Sequence, residues 1–183
     1  MRKINLILAF AFLAMFGYSQ EQMFTVSGGY SFANIEDTDL KTSGWRINGT
    51  YEFNPLGGDV AYGLSIGYIN LTGTIETLTN PVDYKIETMP IYFAPKYLFG
   101  SDSFKGFIKG AIGFQKSWFE RTGNAAIITD MDMGFYGGGG VGAMYNINQQ
   151  FFINAEYEIA WMTNSFYKEG WMNSAMAGVG IRF

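Results

Sequence analysis

The feature that most constrains this chain is an alternation of period two, and it is plainest in the last stretch, Trp171 to Phe183. Every second residue back from the end gives Phe183, Ile181, Val179, Ala177, Ala175, Asn173 and Trp171. The residues between are Arg182, Gly180, Gly178, Met176, Ser174 and Met172. Successive side chains of a strand point to opposite faces, so one face here is apolar with an aromatic at each end, and the other is small or polar apart from two Met. That asymmetry belongs to a strand that turns its apolar stripe toward lipid and its polar stripe toward an enclosed lumen.

The same alternation recurs upstream. Thr25 to Ile35 sets Phe24, Val26, Gly28, Tyr30 and Phe32 on one face, and Ser43 to Phe53 sets Trp45, Ile47, Gly49, Tyr51 and Phe53. Val60 to Thr72 sets Tyr62, Leu64, Ile66 and Tyr68 opposite Gly63, Ser65 and Gly67. Phe104 to Phe119 sets Ile108, Ile112, Phe114 and Trp118 opposite Lys105, Lys109, Gly113 and Gln115. Met131 to Tyr145 and Gln150 to Thr163 continue the pattern, the latter with Phe151, Ile153, Tyr157, Ile159 and Trp161 against Phe152, Asn154, Glu156 and Glu158. Tyr84 to Phe99 is less clean. Pro90 and Pro95 cannot donate to a ladder, so a bulge or break is expected there and its facing is left open.

Two kinds of connector alternate. Short turns start at Asn54, Gly100 and Asn146, at equal intervals along the chain. Longer loops lie at Glu36-Asp37-Thr38-Asp39, around Asn80-Pro81, from Glu120 to Asp130 and from Asn164 to Gly170. Segments of about 11–16 residues exceed the usual soluble strand of about 5–6 and meet the 9–11 needed to cross hydrocarbon at a tilt. Unpaired backbone is prohibitive in lipid, so the sheet must close. The expected fold is all-β: an eight-stranded antiparallel up-and-down transmembrane β-barrel, with Tyr51, Tyr68, Trp118, Tyr145, Trp161 and Trp171 in aromatic belts at the two interfaces.

Composition excludes several chemistries. The 183 residues contain no Cys and no His, so disulfides, thiolate metal sites, Ser-His and Cys-His pairs and a lipidated cysteine are ruled out. Arg2 and Lys3 followed by the apolar run Ile4 to Phe16, with small Gly17 and Ser19, form a secretory signal. The expected division is a signal peptide over residues 1–19 and a barrel domain over 20–183. Lys and Arg total 12 against 16 Asp and Glu, an acidic balance unsuited to nucleic acid.

The faces assigned to the lumen carry Arg46, Glu52, Lys105, Lys109, Glu156, Glu158 and Arg182. Buried charges cost several kcal/mol each unless paired, and this mixed set can neutralise itself as a polar lumen network. Glu156 and Glu158 share a face at acid–base spacing, but ion pairing with Arg46, Lys109 or Arg182 is the expected role. The Gly137-x-Gly139-x-x-Gly142 run matches the dinucleotide fingerprint in letters only, because no helix follows it. Its glycines relieve crowding beside Tyr136 and Phe152. The acidic Glu36 to Asp39 loop is expected to be solvated rather than a cation site.

With eight alternating segments, three short turns and the ending Val179-x-Ile181-x-Phe183, the chain resembles the small outer-membrane β-barrel proteins of Gram-negative bacteria, the porin-family or OmpX/OmpW-like barrel domains. The resemblance implies residence in the outer membrane after export. It implies that Val179, Ile181 and Phe183 are an assembly signal for the barrel-assembly machinery. It implies contact with outer-membrane lipid and lipopolysaccharide. It says little about activity, since one barrel scaffold hosts adhesins, pores and enzymes. The expectation is a monomer with no catalytic site, metal or cofactor, and a structural or surface-interaction role behind a plugged lumen. The alternatives are a narrow passive pore for small solutes and, behind it, an outer-membrane lipid-modifying enzyme.

Overall fold

The computed structural model describes residues 21–36, 40–55, 58–76, 81–123 and 126–183. The expected leader over residues 1–19, most of the acidic loop and residues 77–80 of the loop around Asn80-Pro81 lie outside them. The elements are β1 (Glu21–Ile35), β2 (Lys41–Asn54), β3 (Val60–Ile75), β4 (Val82–Gly100), β5 (Phe104–Gly123), β6 (Ala126–Asn146), β7 (Phe151–Met162) and β8 (Tyr167–Arg182). Each pairs antiparallel with its chain neighbour, and β8 returns to β1 to close the barrel. No helix among the described residues is long and apolar enough to cross a membrane.

The strands are tilted. A walk along paired residues from Phe24, near the start of β1, passes Tyr51, Leu64, Phe93, Ile112, Gly137 and Trp161 and reaches Trp171, which lies toward the opposite rim. Such stagger is what closing a sheet into a tube requires. One register shift is present in the seam, between Ala33 and Ile35 of β1 opposite β8. Just beyond it Glu169 and Gly170 take positive φ of 53° and 75°. The chain end is tied down: Phe183 N donates to Gln22 O at 2.9 Å, and Gln22 N donates to Phe183 O at 3.1 Å.

Two sequence expectations bear comparison with the ladders. The first is the bulge or local break in β4, where pairing breaks locally at each proline and no bulge forms. The register with β3 is the same on either side of Pro90, from Ile66–Ile91 to Ile69–Thr88. The register with β5 is unchanged across Pro95, from Phe93–Ile112 to Lys96–Lys109. Pro90 interrupts only the β3 side and Pro95 only the β5 side, so each missing N–H removes a local partner without displacing the strand. The second is the loop from Glu120 to Asp130. There the ladder continues from Trp118–Met131 to Gly123–Ala126, carried by the β-branched Thr122, Ile127, Ile128 and Thr129. The strands are 12 to 21 residues long, longer than hydrophobicity alone marks, because polar residues outside the lipid still pair.

The facing of the wall follows the alternation. Val26, Ile47, Leu64, Ile66, Ile108, Phe114 and Val179 stand exposed on the outside, with Phe114 at 72%. So large an exposed apolar surface requires an apolar surround. Tyr51 and Tyr145 sit on this face near the rim of short turns. Tyr68, Trp118, Trp161 and Trp171 sit toward the opposite rim, where Trp161 pairs with Trp171 and the Trp45 ring lies 5.4 Å from Tyr68.

Inside, the barrel is filled in layers rather than lined uniformly with polar groups. Toward the loop rim, Ile69, Leu71, Tyr84, Ile86, Phe166, Tyr167, Met162 and Met172 form an apolar cluster, with Phe119 stacked on Phe166. Toward the turn rim, Met23, Ala61, Leu98, Phe107, Met144 and Phe152 form a second one. Charged and hydroxyl groups lie between. The glycines of the wall make room for rings: a Cβ on Gly142 would overlap the Phe107 ring, and one on Gly180 would overlap Phe152.

Candidate functional site

The candidate site is the polar layer at mid-height of the lumen. Arg46 projects from β2 and Glu158 from β7, and both side chains are 0% exposed. Arg46 Nη1 donates to Glu158 Oε1 at 2.7 Å and to Ser174 Oγ on β8 at 3.1 Å. Its Nη2 donates to the hydroxyls of Tyr92 on β4 and Tyr136 on β6, each at 3.2 Å. Tyr136 in turn donates to Glu158 Oε1 at 2.5 Å. Lys109 of β5 reaches both carboxylates of β7, donating to Glu158 Oε2 at 2.6 Å and to Glu156 Oε1.

The remaining strands join through hydroxyls and amides. Ser31 of β1 and Ser174 share a hydrogen bond of 2.7 Å. Asn48 Nδ2 donates to Thr50 Oγ1 at 3.0 Å, and Thr50 and Ser65 of β3 are 2.8 Å apart. Tyr92 also donates to Asn48 Oδ1 at 3.4 Å, so all eight strands contribute a group to one connected layer. Two cations, Arg46 and Lys109, face two carboxylates, Glu156 and Glu158. The pairing is charge-balanced, and charge-assisted bonds are the strong ones when water is excluded.

Of the seven charges assigned to the lumen from sequence, the structure brings four into this layer: Arg46, Lys109, Glu156 and Glu158. Glu52 lies lower and forms its ion pair with Lys96 Nζ at 2.5 Å, beside Phe107, whose ring is 4.6 Å from that nitrogen. Arg182 lies at the turn rim. It pairs with Glu21, donates from Nη2 to Asn146 Oδ1 at 3.3 Å, and covers the Phe152 ring at 5.6 Å. Lys105 sits opposite Gly100 and Met144 at the same rim and joins none of the ion pairs among the described residues. Val179, Ile181 and Phe183 are on the outer face of the last strand, with Val179 and Phe183 well exposed.

The sequence reading missed Lys96, Tyr92, Ser174 and Glu21. Lys96 and Tyr92 belong to β4, where both faces are apolar and the prolines obscured the facing. The signal was nonetheless present, since Tyr84, Ile86, Thr88, Pro90, Tyr92, Ala94, Lys96 and Leu98 keep one parity throughout and all are buried. The Gly137-x-Gly139-x-x-Gly142 run lies inside β6, which continues as strand to Asn146. Glu36, the one residue of its acidic loop that is described, accepts a bond from Glu169 N at 2.9 Å. Among the described residues no group of three or more acidic side chains is placed to hold a metal ion.

A closed eight-stranded wall, apolar without and ionic within, places this chain among known proteins. The sequence profile of the outer membrane protein beta-barrel domain matches residues 6–183. The chain belongs to that family. Solved structures give the same architecture. The Neisserial surface protein A is 14% identical with a TM-score of 0.60, the match covering 87% of this chain and 97% of that one. Ail, the attachment invasion locus protein of Yersinia pestis, is 18% identical with a TM-score of 0.55, covering 88% and 98%. OprG of Pseudomonas aeruginosa is 15% identical with a TM-score of 0.51, covering 88% and 95%. At these identities the likeness is one of fold. Comparison with curated protein sequences returns no match. In outer-membrane barrels generally the short turns face the periplasm and the longer loops the outside.

Proposed function

We propose that this outer-membrane barrel is closed to solutes and serves a structural or surface-interaction role, with no catalytic chemistry. One observation carries the reading. Arg46, Lys109, Glu156 and Glu158 join across the full width of the lumen, between apolar clusters on either side. A permeating solute would have to separate buried pairs that have no bulk water to compensate them. The glycines, which could have left a passage, instead seat the rings of Phe107 and Phe152. The seven charges of the sequence reading then divide into the central plug, the Glu52–Lys96 pair and the rim groups Lys105 and Arg182.

The same reading makes the protein a monomer in contact with outer-membrane lipid and lipopolysaccharide. Val179, Ile181 and Phe183, presented outward on the closing strand, serve as its address for the barrel-assembly machinery. Surface roles lie within the range of this scaffold, as the name attachment invasion locus protein indicates for Ail. A narrow pore is the second reading. It is favoured by Thr25 Oγ1, Gln115 Nε2 and Asn154 Oδ1, buried polar atoms inside the wall that have no partner among the described residues. Single-channel recording of the purified protein in planar bilayers separates the two. The plugged barrel yields no discrete conductance, whereas reproducible steps at neutral pH overturn the plug in favour of the pore.

A further inference from the structure

At the loop rim the seam between β1 and β8 comes apart. Ala33 pairs with Met172 and Ile35 with Tyr167, so Lys168, Glu169, Gly170 and Trp171 of β8 stand opposite Asn34 alone. A bulge of this kind leaves its extra residues outside the ladder and re-aims their side chains. Its backbone is nonetheless fixed. Glu169 N donates to Glu36 Oε2 at 2.9 Å, and Glu169 O accepts from Trp161 Nε1 at 3.1 Å. Gly170 fits because a Cβ there would overlap Met162 O. Holding Glu169 at positive φ costs conformational energy, and residues held in this way gather at ligand clamps.

The bulge opens a cleft of about 500 Å³ on the outer face. Phe32 of β1 and Trp171 of β8 form its apolar walls and are 43% and 50% exposed. Asn34, Lys41, Glu169 and Asn173 bring polar groups to it. Among the described residues neither the Lys41 ammonium nor the Glu169 carboxylate joins an ion pair. Asn173 Oδ1 accepts from the Tyr157 hydroxyl at 3.0 Å, which leaves its Nδ2 to donate. Lys41 and Lys168 are matched by Glu169 and the adjoining Glu36, so neither sign of charge is in excess.

We infer that this cleft binds an uncharged sugar of disaccharide size. A sugar hydroxyl both donates and accepts, and the cleft offers both kinds of partner. Lys41 and the two amides donate, while the Glu169 carboxylate and the Asn34 carbonyl accept. The C–H face of a pyranose packs on the negative face of an aromatic ring, and Phe32 and Trp171 supply two rings. Apolar walls with a few convergent polar groups are the usual make-up of a small-molecule site. A sulfated glycan is disfavoured, because Glu169 and Glu36 would oppose it. A zwitterionic lipid headgroup matches Lys41 and Glu169 but brings no C–H face to the rings. The longer loops of such barrels face outside, so the sugar comes on a glycolipid beside the wall or on a free glycan. The inference rests on the surface-interaction part of the proposed function and not on the plugged lumen.

The test uses the full chain in phospholipid nanodiscs, titrated with maltose, lactose, mannobiose and diacetylchitobiose and followed by NMR. At least one of these disaccharides shifts the Trp171 indole and the Asn34 and Asn173 side-chain amide signals. Dextran sulfate and glycerophosphoethanolamine leave them in place. Affinity for the disaccharide falls about tenfold in Trp171→Leu and in Glu169→Gln. Leu keeps the apolar stripe and Gln keeps the shape of the bulge, and an unchanged gel shift on boiling shows that each variant is folded. The inference is overturned if none of the four disaccharides binds, if dextran sulfate or glycerophosphoethanolamine binds equally well, or if binding survives both substitutions. Lipopolysaccharide added to the nanodisc then identifies the source. Competition with the disaccharide assigns the sugar to a glycolipid, and undiminished binding assigns it to a free glycan. A conducting lumen removes the plug alone, and a non-conducting barrel that binds no disaccharide removes the cleft alone.

Discussion

The ionic layer and the apolar cluster on its loop-rim side fill the same tube with opposite chemistry. The ionic layer joins strands far apart around the wall through directional bonds: Arg46 of β2 reaches across to Glu158 of β7, and Lys109 of β5 meets the same carboxylate. The apolar cluster joins Ile69, Leu71, Ile86, Met162 and Met172 by shape alone. Both exclude solvent, but they fail differently. A gap in the cluster costs the lost burial plus the void left behind. A lost member of the ionic layer strands a charge where nothing else solvates it. Sealing a lumen and fixing its register are thus separate tasks, assigned here to separate layers.

The largest expected effect follows from that difference. Glu158→Gln keeps shape and volume but leaves Arg46 without a carboxylate and Lys109 with only Glu156. The expected loss is about 3–5 kcal/mol of unfolding free energy. Urea unfolding in micelles, followed by the gel shift on boiling, measures it. A loss below that of a simple cavity would break the comparison, since the ionic layer would then be acting as packing.

Leu71→Ala comes next. Leu71 is fully buried in the apolar cluster, so the expected loss is about 3 kcal/mol. Both losses should hold when salt is raised, because screening acts weakly on enclosed groups. They part on repair: a small apolar molecule such as benzene restores stability to Leu71→Ala only, since a dry apolar cavity accepts it and an uncompensated charge does not. Equal recovery of the two variants would erase the distinction between the layers.

The sequence exposed these layers unequally. The outward face was legible because Val, Ile and Phe alternate with Gly and charge along β1, β2, β7 and β8, and a charge on an otherwise apolar strand marks the inward side. That signal located Arg46, Lys109, Glu156 and Glu158. It did not locate the apolar cluster, because Ile69, Leu71, Tyr84 and Ile86 look like lipid-facing residues when read one at a time. Only the unbroken parity through the strand assigns them inward, and in β4 the prolines concealed that parity. The pairing partners of Glu52 and Arg182 were not legible. Glu52 takes Lys96, and Arg182 takes Glu21, because strand register brings them together across distances that spacing along the chain does not encode. The tall β5–β6 ladder escaped for a related reason, since outside the lipid its strands keep pairing without an apolar stripe.

The smallest effect lies within the ionic layer itself. Glu156→Gln removes one of the two carboxylates on Lys109, but Glu158 continues to hold that ammonium at 2.6 Å. Glu156 bonds none of the tyrosines and does not touch Arg46, so its loss strands no cation. The expected cost is about 1 kcal/mol, the order of a single net hydrogen bond. Combined with Glu158→Gln, however, it leaves both Arg46 and Lys109 without any carboxylate. The double variant should therefore lose more than the two single losses together, by about 1–3 kcal/mol. Simple additivity would mean that Lys109 treats its two partners independently. The layer would then be a set of neighbouring pairs rather than one unit spanning the lumen.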